Sequence, residues 1–144
     1  MSLDAIAIAS DHAGIEVKTE ITSLLRGQGY DVVDLGTNGP ESVDYPDFAN
    51  AMAAALKDGR AGRGILICGT GIGISIAANR HRHVRAARCC DSTDARLARQ
   101  HNDANVLVLG SRTAGWETAR DAVLAFLGTE FEGGRHMRRI EKMS

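Results

Sequence analysis

The sequence has few aromatic residues and no long hydrophobic run, and each shortage excludes a class of partner. Aromatic residues make up 4% of the 144 positions, too few for a surface on which nucleic-acid bases stack. A membrane-spanning helix needs roughly 18 or more consecutive apolar residues, and no such stretch is present. The 17 basic and 18 acidic side chains give a net charge of −1, which provides no general cationic field. We therefore expect neither nucleic acid nor a membrane as a partner, whereas a small anion site is compatible with a balanced total.

Cysteine is also scarce, which bears on metal binding and on the compartment. The three cysteines cannot all pair within the chain, and Cys89 and Cys90 are adjacent. No CxxC motif and no cysteine–histidine cluster has zinc-site spacing, so we expect no metal. The apolar run near the amino terminus follows acidic Asp4 and is broken at Asp11, unlike a signal peptide. Together with unpaired cysteines, which are typical of a reducing compartment, this predicts a cytoplasmic protein.

What the sequence does contain is an alternation of short apolar runs with longer helical patterns. The predicted strands span 5–9, 31–35, 64–68, 84–89 and 106–109. The first predicted helix ends near Gly27, and the second runs from about 45 to 57. The third continues from the glycines at 69–73 through Ala78, and two further helices span about 93–100 and 117–127. Five strands, each followed by a helix, predict an α/β protein: a three-layer αβα sandwich with a five-stranded parallel sheet. No linker or repeat interrupts the series, so we predict a single domain over 1–144 with a helical C-terminal tail.

Ligands of parallel α/β sheets bind outside the carboxyl ends of the strands. The informative residues are therefore those that directly follow a strand. In this sequence they are Asp11, His12, the segment from Cys68 to Gly73 and, less distinctively, Cys90 and Asp91.

The segment Cys68-Gly69-Thr70-Gly71-Ile72-Gly73 is the strongest local feature. Its alternate glycines allow tight turns and close approach of a ligand, and its amides could hold an anion or a developing oxyanion. The spacing matches neither a dinucleotide-binding motif nor a P-loop, and a simple tight turn is the plain alternative. Cys68 lies where a thiolate could form beside a helix N-terminus; the plain alternative for it is a small buried apolar side chain.

Two other polar segments have both a functional and a structural interpretation. Asp11 and His12 could contact substrate hydroxyls and a phosphate, or Asp11 could cap the next helix. His101, followed by Asn102, could carry a proton near neutral pH, or it could stabilise the C-terminus of a helix. The basic turn from Arg80 to His83 is assigned no role.

The C-terminal tail is locally basic. Arg135, Arg138, Arg139 and Lys142 stand against Glu141 alone, and on a helix Arg135 and Arg139 share a face. Two converging guanidinium groups are suited to bind a phosphate. The alternative interpretation is that these arginines are only solvated at the end of the helix.

Five motifs, in this order and at this spacing, resemble the ribose-5-phosphate isomerase B family, which also includes galactose-6-phosphate and allose-6-phosphate isomerases. They are SDHAG at 10–14, DYPDFA at 44–49, CGTGIG at 68–73, HNDANVLVLGSR at 101–112 and GGRHMRRI at 133–140. The resemblance covers essentially the whole chain. It implies a Rossmann-like parallel sheet and aldose–ketose isomerisation of a small phosphorylated sugar without metal or cofactor, as in the pentose phosphate pathway. It also implies a homodimer or a dimer of dimers whose active sites are shared between subunits.

The resemblance assigns a role to each matching residue. Cys68 is implied to be the base that moves a proton between C2 and C1, with Thr70 in the loop that holds the enediolate, and His101 the acid that opens the sugar ring. The implied substrate contacts are Asp11, His12, Tyr45, Gly69, Gly71, Ile72, Gly73, Asn102, Arg112, Arg135, His136 and Arg139.

One position selects the branch of the family. A second branch has glycine at the Cys68 position and a glutamate base two residues after its GxG, where this chain has Ile74. Isoleucine cannot abstract a proton, so the chain resembles the cysteine branch. D-ribose 5-phosphate is the expected substrate. The alternatives are another pentose or hexose phosphate, such as allose 6-phosphate or galactose 6-phosphate, or a non-catalytic protein that binds sugar phosphates.

Overall fold

The computed structural model describes residues 5–144, which alternate between strands and helices along the chain. The strands are β1 (Ala5–Ser10), β2 (Asp31–Asp34), β3 (Arg63–Cys68), β4 (Ala86–Arg88) and β5 (Val106–Gly110). The helices are α1 (Ile15–Gly27), α2 (Tyr45–Lys57), α3 (Ile72–Ala78), α4 (Ser92–Asn102), α5 (Trp116–Gly128) and α6 (Arg135–Met143), with a short 3-10 turn at His12–Gly14. Asp4, on which the signal-peptide prediction partly rests, lies outside the described residues.

The five strands form one sheet in the order β2-β1-β3-β5-β4, and all neighbours are parallel. The predicted α/β class and the parallel sheet are confirmed. Strand β4 is shorter than the predicted 84–89 because its first part has other hydrogen-bond partners. The amide of Val84 donates to the carbonyl of His81 at 3.0 Å, and the amide of Arg85 donates to Asn105 Oδ1 at 2.7 Å.

The alternating side chains of each strand divide the core into two layers. In β1, Ala5, Ala7 and Ala9 face one side, where they pack with Met52 of α2 and residues of α3. Ile6 and Ile8 face the other side, where they pack with residues of α1, α4 and α5 that include the buried Phe126. Helices therefore cover both faces of the sheet, as the three-layer prediction requires.

The strand order brings three strand ends together. Because β3 lies between β1 and β5, the segments that follow these strands meet at the carboxyl edge of the sheet. The amide of Asp11, after β1, donates to the carbonyl of Ile67 at 3.2 Å, and the amide of Arg112, after β5, donates to the carbonyl of Gly69 at 2.8 Å. This edge is the crevice in which ligands of parallel sheets bind.

Among residues 5–144, no helix has both the length and the apolar character needed to cross a membrane.

Candidate active site

The residues Cys68–Gly73, called the thiol loop below, connect β3 directly to α3. Cys68 is the last residue of β3 and is 4% exposed. The amide of Gly71 donates to its Sγ at 3.2 Å. Gly71 has φ of +79°, and a Cβ at this position would lie 3.1 Å from the backbone of Leu109. Glycine is therefore needed here both for the left-handed backbone and for the close approach that turns the amide towards the thiol.

Thr70 is held at both its side chain and its backbone. Its Oγ1 accepts a hydrogen bond from the amide of Ile72 at 3.1 Å, which satisfies the first residue of α3. Its carbonyl accepts from Nε of Arg88 at 2.8 Å. Arg88 is not among the residues predicted from the sequence, because nothing in a sequence shows that the end of β4 reaches this loop.

Two side chains lie over the loop glycines. A Cβ on Gly73 would lie 2.6 Å from Cζ of the Tyr45 ring, and a Cβ on Gly69 would lie 3.2 Å from Nη1 of Arg112. Both glycines therefore permit contacts that a larger residue would block. Tyr45 begins α2 and Arg112 follows β5, so the thiol loop lies between side chains from two other segments.

Asp11 and His12 lie at the same edge and make contacts within the chain. Asp11 is 7% exposed, and its Oδ1 accepts from the amide of Ala13 at 3.0 Å, which caps the 3-10 turn. His12 is exposed, and its Nδ1 accepts from the amide of Val43 at 3.2 Å. When the ring is neutral, its proton therefore resides on Nε2, which can act as a donor.

A buried lysine anchors the loop that carries Val43. Lys18 is 2% exposed, and its Nζ donates to Oδ1 of Asp34 and to Oδ1 of Asn38, both at 2.7 Å. Burying an ammonium group is costly unless it is paired and hydrogen-bonded, so this arrangement holds the 36–44 loop against α1. Lys18 was not predicted from the sequence either, because its partners are 16 and 20 residues away.

His101 and Asn102 lie at the opposite edge of the sheet. They end α4, and the chain then enters β5 at Val106. Gly110, at the far end of β5, pairs with Cys68, and four strand steps of about 3.3 Å separate the two ends by roughly 13 Å. Within one chain, therefore, the predicted base and the predicted ring-opening acid are not neighbours.

The tail helix α6 packs beside His101. The rings of His101 and His136 lie nearly parallel, with centroids 4.5 Å apart and planes inclined by 17°. Burial lowers the pKa of His136, and the positive charges of His101 and of Arg135 and Arg139 lower it further, against the opposing effect of Glu132. Arg135 and Arg139 are exposed on the same helix. These residues form a second group, called the histidine cluster below: His101, Asn102, Arg135, His136 and Arg139.

The histidine cluster also offers ligand atoms that a metal could use. The donor atoms of His101, Glu132 and His136 lie within 4.8 Å of one another, and Oε1 of Glu132 lies 3.6 Å from Nε2 of His136. Imidazole nitrogens bind metals in the plane of their ring, so one of the nearly parallel rings would have to turn before both could bind one ion. The neighbouring guanidinium groups of Arg135 and Arg139 also disfavour a second cation.

The remaining cysteines differ from Cys68 in their surroundings. Cys89 is buried, and burial raises its pKa to about 12, with Asp94, Cys90 and Asp91 acting in the same direction. It therefore remains a protonated thiol at neutral pH. Asp91 caps α4, since its Oδ1 accepts from the amide of Asp94 at 2.8 Å.

The structure thus divides the predicted site residues into two groups. Asp11, His12, Tyr45, Arg112 and the thiol loop lie together at the carboxyl edge of the sheet. The histidine cluster lies at the amino edge.

Comparison with known proteins shows similarity along nearly the whole chain. The family model for "Ribose/Galactose Isomerase" matches residues 6–143. The chain is 48% identical over 139 residues to ribose-5-phosphate isomerase B of Escherichia coli, covering 96% of this chain and 93% of that protein. The structure of ribose-5-phosphate isomerase B from Clostridium thermocellum is similar with a TM-score of 0.95 at 53% identity, covering 96% and 94% of the two chains. The Mycoplasma genitalium ribose-5-phosphate isomerase B with bound ribulose-5-phosphate is similar with a TM-score of 0.92 at 46% identity, covering 96% and 93%.

The lowered pKa of His136 predicts a pH dependence of stability. An ordinary histidine has a pKa of 6.5, and the folded state keeps His136 neutral to lower pH. As the pH falls through 6.5, the unfolded chain takes up this proton first, so the free energy of unfolding decreases until the folded-state pKa is passed. We expect His136→Gln to remove this part of the decrease, as measured by denaturant unfolding at several pH values. His81→Gln is the control, and identical pH slopes for wild type and His136→Gln would contradict the prediction.

Proposed function

This chain belongs to the ribose/galactose isomerase family and is a sugar-phosphate aldose–ketose isomerase, and we propose that it interconverts D-ribose 5-phosphate and D-ribulose 5-phosphate. The observation that carries the choice of substrate is the similarity along 96% of the chain to ribose-5-phosphate isomerase B enzymes, one of them bound to ribulose-5-phosphate. Each of the five motifs that resemble this family contributes at least one residue to the two groups described above.

Cys68 acts as the base in this proposal. Its thiolate removes the proton from C2 of the open-chain aldose, and the electron pair moves to form an enediolate whose negative charge rests on the C1 oxygen. The C2 hydroxyl proton passes to the C1 oxygen, and the thiol returns its proton to C1 while the C2 oxygen becomes the carbonyl of the ketose, so no external oxidant or reductant is needed. A general base of this kind works best when it ionises near the working pH.

The thiol loop is suited to stabilise the enediolate. The amides of Gly73 and Ile74 belong to the first turn of α3 and have no acceptor within the helix. Backbone amides that are already oriented stabilise developing negative charge without reorganisation, and loss of one such donor typically costs about 3–4 kcal/mol of barrier. The close contacts of Tyr45 and Arg112 with the loop glycines limit the space beside the thiol.

The histidine cluster completes the site from a second subunit in our proposal. His101 opens the sugar ring, and Arg135 and Arg139, with Arg112 and His12 of the other group, bind the phosphate. Two observations support a two-fold dimer with shared sites. First, the two groups lie at opposite edges of one sheet, so a single chain holds two half-sites. Second, helix α3, which continues from the thiol loop, exposes the side chains of Ile72 (49%) and Ile76 (58%) one helical turn apart. Such an apolar surface suits burial by a second copy of the chain.

The proposed chemistry requires a reduced thiol at position 68. All three cysteines are free, and the cytoplasm keeps thiols in this state. We therefore propose a cytoplasmic location.

The substrate is tested by an activity panel. We expect the purified protein to convert D-ribose 5-phosphate faster than allose 6-phosphate or galactose 6-phosphate, with the rate unchanged by a chelator because the proposed chemistry uses no metal. The measurement is the initial rate on each sugar at equal concentration, with and without chelator. A faster hexose phosphate would contradict the proposed substrate, and binding of all three sugars without turnover would indicate a non-catalytic binding protein.

The role of Cys68 is tested by proton exchange. We expect Cys68→Ser and Cys68→Ala to abolish exchange of the C2 proton with deuterated water while ribose 5-phosphate still binds, because the alcohol is a far weaker acid than the thiol and alanine has no base. Exchange is followed by proton NMR and binding by calorimetry. Cys90→Ser is the matched control and should retain exchange. Full exchange in Cys68→Ala would overturn the assignment of the base.

The shared site is tested by mixing two inactive variants. We expect Cys68→Ser and His101→Ala to be nearly inactive separately, and to recover activity when they are unfolded together and refolded. Random pairing in a two-fold dimer produces one intact site in each mixed dimer, which corresponds to about a quarter of wild-type activity. No recovery in mixed dimers isolated by two affinity tags would show that both residues act within one subunit.

A further inference from the structure

The peptide group between Thr70 and Gly71 is hydrogen-bonded at both ends. Its carbonyl accepts from Nε of Arg88 at 2.8 Å, and its N–H donates to Sγ of Cys68 at 3.2 Å. The carbonyl and the N–H of a trans peptide are coplanar and point in opposite directions. Whatever holds the carbonyl of Thr70 therefore also determines whether the amide of Gly71 points at the thiol.

The hydrogen bond from Arg88 is suited to polarise the Thr70–Gly71 peptide as well as to hold the loop in place. A guanidinium group is charged at every physiological pH, and hydrogen bonds from charged donors are roughly twice as strong as neutral ones. Hydrogen bonds that are linked through one polar group also polarise one another. Electron density drawn towards Arg88 leaves the N–H of the same peptide more positive, and a more positive N–H favours the thiolate form of Cys68.

The path from Arg88 to the loop depends on a glycine in β5. Arg88 ends β4, which is separated from β3 by β5, so its side chain crosses β5 to reach Thr70. A Cβ on Gly110 of β5 would collide with the side chain of Thr113 and lie 2.6 Å from the carbonyl carbon and oxygen of Thr70. The absence of a side chain at Gly110 therefore leaves room for the Thr70 carbonyl.

The charge of Arg88 is not neutralised by a neighbouring acid. Among residues 5–144, no carboxylate forms an ion pair with Arg88. Its Nη1 instead lies 3.5 Å from Sγ of Cys90. The guanidinium group therefore contacts the Thr70 carbonyl and the Cys90 thiol, of which the bond to the carbonyl is the shorter.

We propose that Arg88 is a positioning residue for Cys68, which acts by orienting and polarising the Thr70–Gly71 peptide so that its amide stabilises the Cys68 thiolate. The inference rests on the proposed role of Cys68 as base. The Cys68 proton passes to solvent before the sugar binds, and the thiolate then accepts the C2 proton. Arg88 itself contacts neither the thiol nor, in this proposal, the substrate.

Other charged or titratable groups also border the thiol loop and must stay unchanged in a test. They are Asp11 after β1, Tyr45 at the start of α2 and Arg112 after β5. Substitutions at position 88 leave all three in place. A change in the ionisation of Cys68 can then be assigned to Arg88.

The test compares Arg88→Gln, Arg88→Lys and the control Arg96→Gln. Arg96 is an exposed arginine on α4 whose side chain, within residues 5–144, bonds only to Gln100, at 3.4 Å. Its replacement by glutamine removes the same charge as the replacement of Arg88. Each variant is prepared with and without Cys68→Ser, and the ultraviolet absorbance of thiolate is measured for both proteins as a function of pH. The difference between the two absorbances reports the ionisation of Cys68 separately from that of Cys89 and Cys90. Circular dichroism confirms that each variant is folded.

We expect Arg88→Gln to raise the midpoint of Cys68 ionisation by about 0.5–1 pH unit, less than a cation in direct contact would produce. Arg88→Lys, which keeps the charge without the Nε donor, should shift it less, and Arg96→Gln should leave it unchanged. The acidic limb of the kcat profile, along which the thiolate forms as the pH rises, should move to higher pH by a similar amount in Arg88→Gln, with KM little changed. An unmoved midpoint in Arg88→Gln, or an equal shift in Arg96→Gln, would overturn the proposal. Because the titration needs no substrate, it decides the role of Arg88 even if the protein failed to isomerise any sugar phosphate.

Discussion

The hydrogen bonding of β3 between β1 and β5 is the constraint on which the rest of the site depends. It places three strand ends at one edge of the sheet and leaves the thiol loop bordered on both sides by polar segments. Cys68 must end β3 for its thiol to meet the amide of Gly71, and Gly71 must adopt a left-handed backbone for that amide to point inward. A shift of one residue in β3 would turn the thiol to the other face of the sheet, because successive side chains alternate.

The same parallel geometry explains why one chain carries two half-sites. A helix that connects parallel strands runs back along the sheet, so its C-terminus lies at the amino edge. His101 and Asn102, at the end of α4, are therefore carried away from Cys68, and α6 joins them there through the contact of His136 with His101. In the dimer that we propose, the histidine cluster of one copy of the chain lies beside the thiol loop of the other copy, so the two groups meet without any change in the fold.

Much of the fold could be predicted because it depends on local patterns. Helix α2 has the predicted bounds, and β1, β3 and β5 differ from prediction by one residue at most. Strand β4 is shorter because Val84 and Arg85 bond to His81 and Asn105, which no periodicity of hydrophobic residues reveals. In the site, Cys68 and the loop glycines were recognisable because a glycine-rich strand-to-helix turn is a contiguous pattern. Lys18 and Arg88 were missed, since their partners are distant in sequence and their positions carry no distinctive motif.

The sequence by itself determined the alternation of strands and helices, the family resemblance and the residue types available for proton transfer and phosphate binding. These properties follow from local backbone preferences and from contiguous motifs, which need no knowledge of strand order. Only the tertiary structure decided which of the predicted residues share an edge of the sheet, and that Arg88 reaches the carbonyl of Thr70 across β5. The physical reason is that strand order and side-chain reach arise from the packing of the whole sheet, in which residues far apart along the chain compete for the same hydrogen-bond partners.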